Sequence, residues 1–176
     1  MIRCPPPSVQ SAATPLGTLR LRPQTAQDEP FLTALFESVK AAELGPLPEP
    51  LKAGLLRMQY QAMTTAYRSG FPDAAFDIIL LGGTPVGRLV HDWTPLSLHV
   101  VYIAFLPEWQ GRGLGTALMG AILDVAQARG VCCEATVAVG NRPSLLLWER
   151  LGFAQTFLDD ANVAVRWRPR PGEYRP

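Results

Sequence analysis

Residues 98–116 constrain this chain more than any other stretch. Leu98 to Leu106 is nearly all apolar, which suits a central strand covered on both faces. The run ends at Pro107. Gln110-Gly111-Arg112-Gly113-Leu114-Gly115-Thr116 follows, a glycine-dense loop within which a helical pattern begins. Backbone amides at such a junction have no acceptor inside the helix. With the helix dipole they make a seat for phosphate. Gly113 and Gly115 permit close backbone approach to such a group. The expectation is a sheet protein that holds a phosphate-bearing cofactor.

Composition narrows the setting. The 176 residues are enough for one domain with a sizeable core, and 48% are hydrophobic against 18% charged. A net charge of +1 without a basic stripe argues against nucleic acid as a partner. No apolar run approaches the roughly 18 residues of a membrane span. Arg3 and Pro5-Pro6-Pro7 lack a hydrophobic segment behind them, so the start does not read as a secretory signal. Cys4, Cys132 and Cys133 are odd in number and two are adjacent. That argues against a disulfide framework and for a reducing, cytoplasmic setting. No His lies near a Cys at ligand spacing, so no metal is expected.

Proline and glycine punctuate the rest. Residues 1–15 read as a loose tail, 16–168 as a single domain and 169–176 as a frayed end. Gly17 to Arg22 alternates as a first strand. Thr25 and Asp28 resemble a capping box, followed by helical spacing from Phe31 to Val39. After Pro46, Pro48 and Pro50, the positions Leu51, Leu55, Met58, Ala62 and Ala66 predict a second amphipathic helix ending near Gly70. Ala75–Leu81 and Val86–Trp93 read as strands about a Gly82-Gly83 turn. Leu114, Leu118, Ile122 and Val125 mark a helix closed by Gly130. Val131–Val139 is a strand, Ser144–Leu151 a short helix stopped by Gly152, and Val163–Trp167 a last strand. The order β-α-α-β-β-β-α-β-α-β predicts an α/β or α+β fold, a mixed sheet with helices on its faces.

Three glycine motifs compete for the loop. A Walker loop needs a closing Gly-Lys-Ser/Thr, and no Lys is present. A dinucleotide fingerprint needs a third Gly at 116, which is Thr, and belongs after the first strand. Gln110, Gly113 and Gly115 satisfy the third pattern, Q/R-x-x-G-x-G/A. With Ile103 to Trp109 ahead of it, Asn141 behind it and Trp148-Glu149-Arg150-Leu151-Gly152-Phe153 at the end, the chain resembles the GNAT superfamily of N-acetyltransferases. The motif resemblance covers about 98–153. It implies a mostly antiparallel mixed sheet whose central strands splay, with acetyl-CoA as cosubstrate. By that resemblance the amides of Gly111, Arg112, Gly113, Leu114, Gly115 and Thr116 clasp pyrophosphate. Backbone groups of Ile103, Ala104 and Phe105 pair with the pantetheine arm. Asn141 meets the pantetheine or its amide, with Ser144 and Trp148 further along that helix. Arg112 reads equally as a surface charge, and Asn141 as a helix N-cap.

The reaction implied is attack of an amine on the thioester carbonyl, which needs a base, an oxyanion partner and a proton donor for the thiolate. Family members commonly carry Tyr seven residues after the Asn, where this chain has Trp148. An indole N–H donates a hydrogen bond but not its proton. Trp148 therefore either packs on the pantetheine or fills core. One usual base position is Thr136 here, and another is His99, whose pKa class suits the task. The structural alternative is a half-buried strand histidine. Tyr102 is a candidate acid, expected on the face opposite His99 by strand alternation. Glu134, sharing a face with Thr136, could orient a water. Cys132 and Cys133 read as core thiols rather than nucleophiles. The acceptor, a small amine, is expected near Glu43, Tyr60, Tyr67, Asp73, His91, Asp92 and Trp93. A homodimer is an assembly the resemblance allows. The rival readings are a CoA-binding sensor or scaffold with weak catalysis, motivated by Trp148 and Thr136, and a Rossmann-type nucleotide domain.

Overall fold

The computed structural model describes residues 11–40 and 47–171. Cys4, Glu43 and Pro46 lie outside the described residues. Eight strands form one sheet: β1 Ala12–Thr14, β2 Gly17–Pro23, β3 Ala75–Leu81, β4 Thr84–Trp93, β5 Ser97–Phe105, β6 Cys132–Ala138, β7 Ala154–Phe157 and β8 Asn162–Trp167. Four helices accompany them: α1 Glu29–Lys40, α2 Glu49–Gly70, α3 Leu114–Arg129 and α4 Arg142–Arg150. The spatial order is β1-β2-β3-β4-β5-β6-β8-β7, and the pairing is antiparallel except between β5 and β6. The mixed, mostly antiparallel sheet is the one expected. No described helix is long and apolar enough to cross a membrane.

Two strands were not expected. Ala12–Thr14 pairs with β2, so the loose tail to residue 15 does not hold there. Ala154–Phe157 pairs with β8 as an edge strand, exposed along its whole length. With neither face covered, it has no hydrophobic alternation to betray it.

The sheet divides two apolar layers. Leu89, Leu98, Val100, Phe105 and the buried side of α3 form the larger one, which also takes Trp148 and Phe153 of the α4 segment. Leu32, Phe36, Leu56, Tyr60 and Ile78 form the smaller one, beneath α1 and α2. Helix α2 turns a different face inward from the one its aliphatic spacing predicts. Leu51 and Met58 are exposed, and Leu56 and Tyr60 are buried. The Tyr60 ring packs against Phe36 with centroids 5.6 Å apart. Burial of Leu56 and of the large Tyr60 ring outweighs the aliphatic stripe of Leu51 and Met58.

The turn into α1 is fixed by charge. Asp28 accepts the Thr25 backbone N–H at 2.8 Å and pairs with Arg22 through both carboxylate oxygens, at 2.6 and 2.7 Å. The Arg22 guanidinium, with help from Thr25, holds its carboxyl well below the usual carboxylate range.

Candidate functional site

β5 is the strand on which the site is built. It follows β4 down to Phe105↔Gly87, but pairs with β6 only from Ser97↔Cys132 to Val100↔Ala135. Beyond Val100 the two strands part, and the edge of β5 at Ile103, Ala104 and Phe105 loses its neighbour. The splay implied by the family resemblance is present, and its cause is legible. β6 turns to follow β8, with six consecutive pairs from Cys133↔Trp167 to Ala138↔Asn162.

A bulge marks the parting. Val90 pairs with Tyr102 and His91 with Val100, so Val101 is an extra residue on β5. A bulge shifts the phase of the alternating side chains. Tyr102 therefore lies on the same face as His99, which corrects the expectation from alternation. Both meet α2: Tyr102 contacts Tyr67 at 5.9 Å between centroids, and His99 stacks on Phe71 at 4.9 Å. Tyr67 in α2 and Phe71 just after it are four residues apart, about one helical turn.

The polar surroundings follow from register. His99 lies between Asp92 on β4 and Glu134 on β6. Burial pushes its pKa below the ordinary histidine value of 6.5, while the two carboxylates oppose the shift. Glu134 pairs with Arg166 at 2.7 Å. Burial pushes the Tyr102 phenol up to about 12, so it stays protonated. Cys133 is buried with its thiol likewise pushed up to about 12, a core thiol as expected. Among the acceptor candidates, Tyr67 and Asp92 share the face of His99, and Tyr60 sits deeper beneath α2. His91 and Trp93 lie on the α3 face instead, where His91 Nε2 contacts Asp77 Oδ2 at 2.9 Å. Asp73 is in the turn between α2 and β3.

At the end of β5 the chain reverses through Pro107–Trp109, and Gln110 Nε2 donates to Phe105 O at 2.8 Å. That bond commits the Gln110 amide nitrogen to holding the loop. Gly113 is the N-cap of α3 with φ +78°, a left-handed conformation that L side chains rarely adopt. Ala117 N–H closes on Gly113 O at 3.0 Å. The amides ahead of it are those a helix leaves without an internal acceptor. Gly115 lies against Leu147 of α4 and Phe105, where a Cβ would make ordinary contacts at 3.4 and 3.6 Å. Thr116 is exposed in the first turn and Leu114 is buried beneath it. Arg112 is exposed and stacks over Trp109 at 5.4 Å.

Asn141 caps α4, with its Oδ1 accepting the Ser144 N–H at 3.2 Å. Ser144 Oγ in turn accepts the Trp148 indole N–H at 3.1 Å. Trp148 is only 2% exposed and meets Phe153 edge-on at 4.7 Å. Trp148 is thus part of the larger apolar layer. Among the described residues no group of three His, Cys, Asp or Glu side chains is arranged to hold a metal ion.

Two buried polar residues escaped the sequence reading, Asp77, which meets His91, and Arg88. Arg88, on β4, is 1% exposed beneath α2, and its Nε and Nη2 have no hydrogen-bond partner among the described residues. A lone Arg in a strand carries no local signal of burial; the packing of α2 buries it.

A mostly antiparallel sheet that opens beside its one parallel pair, with an uncapped helix N-terminus at the mouth of the opening, defines an acetyltransferase-type fold. It is shared with the PaiA N-acetyltransferase of Thermoplasma acidophilum in complex with coenzyme A: TM-score 0.64 and 16% identity, over 85% of this chain and 98% of that one. Residues 37–153 match the model of the acetyltransferase (GNAT) family, and the chain belongs to that family. An uncharacterized N-acetyltransferase of Methanocaldococcus jannaschii is 30% identical over 90 residues, 46% of this chain and 39% of the relative. N-alpha-acetyltransferase 30 of Schizosaccharomyces pombe is 35% identical over 69 residues, 38% of this chain and 45% of the relative. The chain thus aligns with less than half the length of either relative.

Proposed function

We propose that the protein transfers an acetyl group from acetyl-CoA to the primary amine of a small-molecule or peptide acceptor. The observation that carries this reading is the parting of β5 from β6 directly ahead of the N-terminus of α3. An open strand edge suits a chain of alternating amide donors and acceptors such as pantetheine. Backbone donors at a helix N-terminus suit pyrophosphate. In this reading the amides of residues 111–116 hold the phosphates, while Ile103, Ala104 and Phe105 align the arm and polarise the thioester carbonyl. The amine nitrogen bonds to that carbonyl carbon, the C–S bond breaks, and the thiolate takes a proton. His99 serves as base for the amine and Tyr102, held neutral by burial, as donor to the thiolate. Calorimetric titration with acetyl-CoA, followed by thiol detection over an amine panel, tests the reading; no binding at millimolar acetyl-CoA would remove it.

A second reading has one observation behind it. Trp148 is buried at the position where the family resemblance implies a proton-donating Tyr, which favours a CoA-binding protein with weak turnover. Acetyl-CoA binding without thiol release over a broad amine panel would select it.

Two substitutions probe the parts separately. Gly113→Ala places a Cβ in open space but at φ +78°, a strain of about 1–2 kcal/mol. Moving the loop out of that conformation relieves the strain and turns its amides. The expected result is roughly a tenfold weaker CoA Kd with the fold retained; equal affinity would take the loop out of the donor site. For His99, a lowered pKa means that the neutral base fills as pH rises through a value below 6.5. The rate should therefore climb and level off at lower pH than for an ordinary histidine. His99→Gln should flatten that limb and slow turnover by about 10²-fold or more. An unchanged pH–rate profile would exclude His99 as the base.

A further inference from the structure

Arg88 presents a problem that the donor site does not solve. It is a guanidinium at 1% exposure whose Nε and Nη2 donate to nothing. A buried cation without a counter-ion costs several kcal/mol, so such groups are normally paired. Among the described residues no carboxylate pairs with it. The acids on its side of the sheet are placed elsewhere: Glu29 accepts the Tyr60 hydroxyl at 3.3 Å, Glu134 pairs with Arg166 at 2.7 Å, and Asp92 lies beside His99. The surroundings instead concentrate positive charge and phenols. Arg88 lies 5.5 Å from the Phe76 ring centroid, and Arg68 covers the same ring at 4.8 Å. Tyr102 is 6.0 Å away, with Tyr60 and Tyr67 close enough to act on the guanidinium electrostatically. Burial weakens its charged form, with Arg68 adding to that pressure. Tyr60 already donates to Glu29, which leaves two guanidiniums and the Tyr67 and Tyr102 hydroxyls as donors that an anion could accept from.

Position assigns the anion. Arg88 pairs with Ala104 and neighbours Val90↔Tyr102, so it lies one strand from the parted edge of β5. Tyr102 meets Tyr67 where His99 meets Phe71, one turn of α2 further on, and a turn is about 5.4 Å. A ligand with its amine at His99 would bring a group a few ångströms away to the Tyr67–Tyr102 pair and Arg88.

We infer that Arg88 receives a carboxylate of the acceptor, so that the acceptor is a small amino acid rather than a plain amine. The planar fork of a guanidinium matches a carboxylate in bidentate geometry. The inference rests on the acetyl-transfer reading and adds the substrate class to it. In the free protein Arg88 is a stability cost; bound acceptor removes it.

The test compares α-, β- and γ-amino acids with their matching amides, which keep the amine and lose the negative charge. Wild-type protein, with and without CoA, is titrated by thermal shift and calorimetry, and turnover is followed as thiol release. At least one amino acid should bind tenfold or more tighter than its amide. Arg88→Met should abolish that preference while raising the ligand-free Tm, because the unpaired charge is gone. Arg88→Lys should restore part of the preference. Equal acid and amide affinity in the wild type, or a preference that survives in Arg88→Met, would overturn the inference. If Arg88→Met does not fold, the wild-type comparison and Arg88→Lys still decide it. Failure to bind acetyl-CoA alongside an intact acid preference would instead remove the acetyl-transfer reading and leave the anion site standing.

Discussion

Trp148→Ala should lower stability by about 3–5 kcal/mol, the range for deleting a large buried aromatic. The ring is 2% exposed, edge-on to Phe153 at 4.7 Å, and its N–H is spent on Ser144 Oγ at 3.1 Å. Truncation opens a cavity between α4 and the sheet and leaves the Ser144 hydroxyl without its donor. Since Asn141 caps the same helix through Ser144, CoA affinity should fall as well. Trp148→Phe is the control: it keeps most of the apolar area and loses one hydrogen bond, about 1 kcal/mol. Urea denaturation should show the midpoint falling strongly for Ala and slightly for Phe, with the slope unchanged. A loss under 1 kcal/mol for Ala would mean that the ring is not part of the core.

Gly87→Ala should cost about 3 kcal/mol or more, the upper end of what one added methyl does in a packed interior. The glycine is required by space and not by backbone conformation. A Cβ there would lie 2.3 Å from the Ala104 carbonyl oxygen, a backbone atom that cannot rotate aside. Phe105 at 3.1 Å and Ile79 at 3.2 Å close the other directions. The only relief is for β4 and β5 to separate at the pair that carries Arg88↔Ala104. The substitution should therefore also disturb the β5 edge on which donor binding is proposed. Hydrogen exchange would localise the damage: faster exchange along 86–90 and 102–106, with α1 unaffected. Wild-type exchange in those segments would show that the sheet absorbs the methyl group.

The residues that announced themselves in the sequence are those whose signal is local. Gly113 and Gly115 stand in a fixed spacing at a strand–helix junction. Thr25 and Asp28 form their bond three residues apart. Gly82-Gly83 closes a hairpin between strands already marked by composition. The residues misread depend on partners distant in the chain. β7 shows no pattern because nothing covers it. Leu51 and Met58 make a regular stripe on α2, yet Leu56 and Tyr60 are buried, because α1 and the sheet offer Phe36 and Ile78 to pack against.

The sequence alone therefore determined the order of the main elements, the strand–glycine–helix junction and the family resemblance, all of which rest on contacts within about one turn of chain. Tertiary structure decided the faces. One extra residue at Val101, visible only in the pairing of β4 with β5, turned Tyr102 toward His99. The docking of α2 buried Arg88, which has no counter-ion among the described residues. Side-chain direction in a sheet is set by register, and register by strands far apart in sequence. For that reason the loop could be read along the chain, while the burial of Arg88 could be read only from the fold.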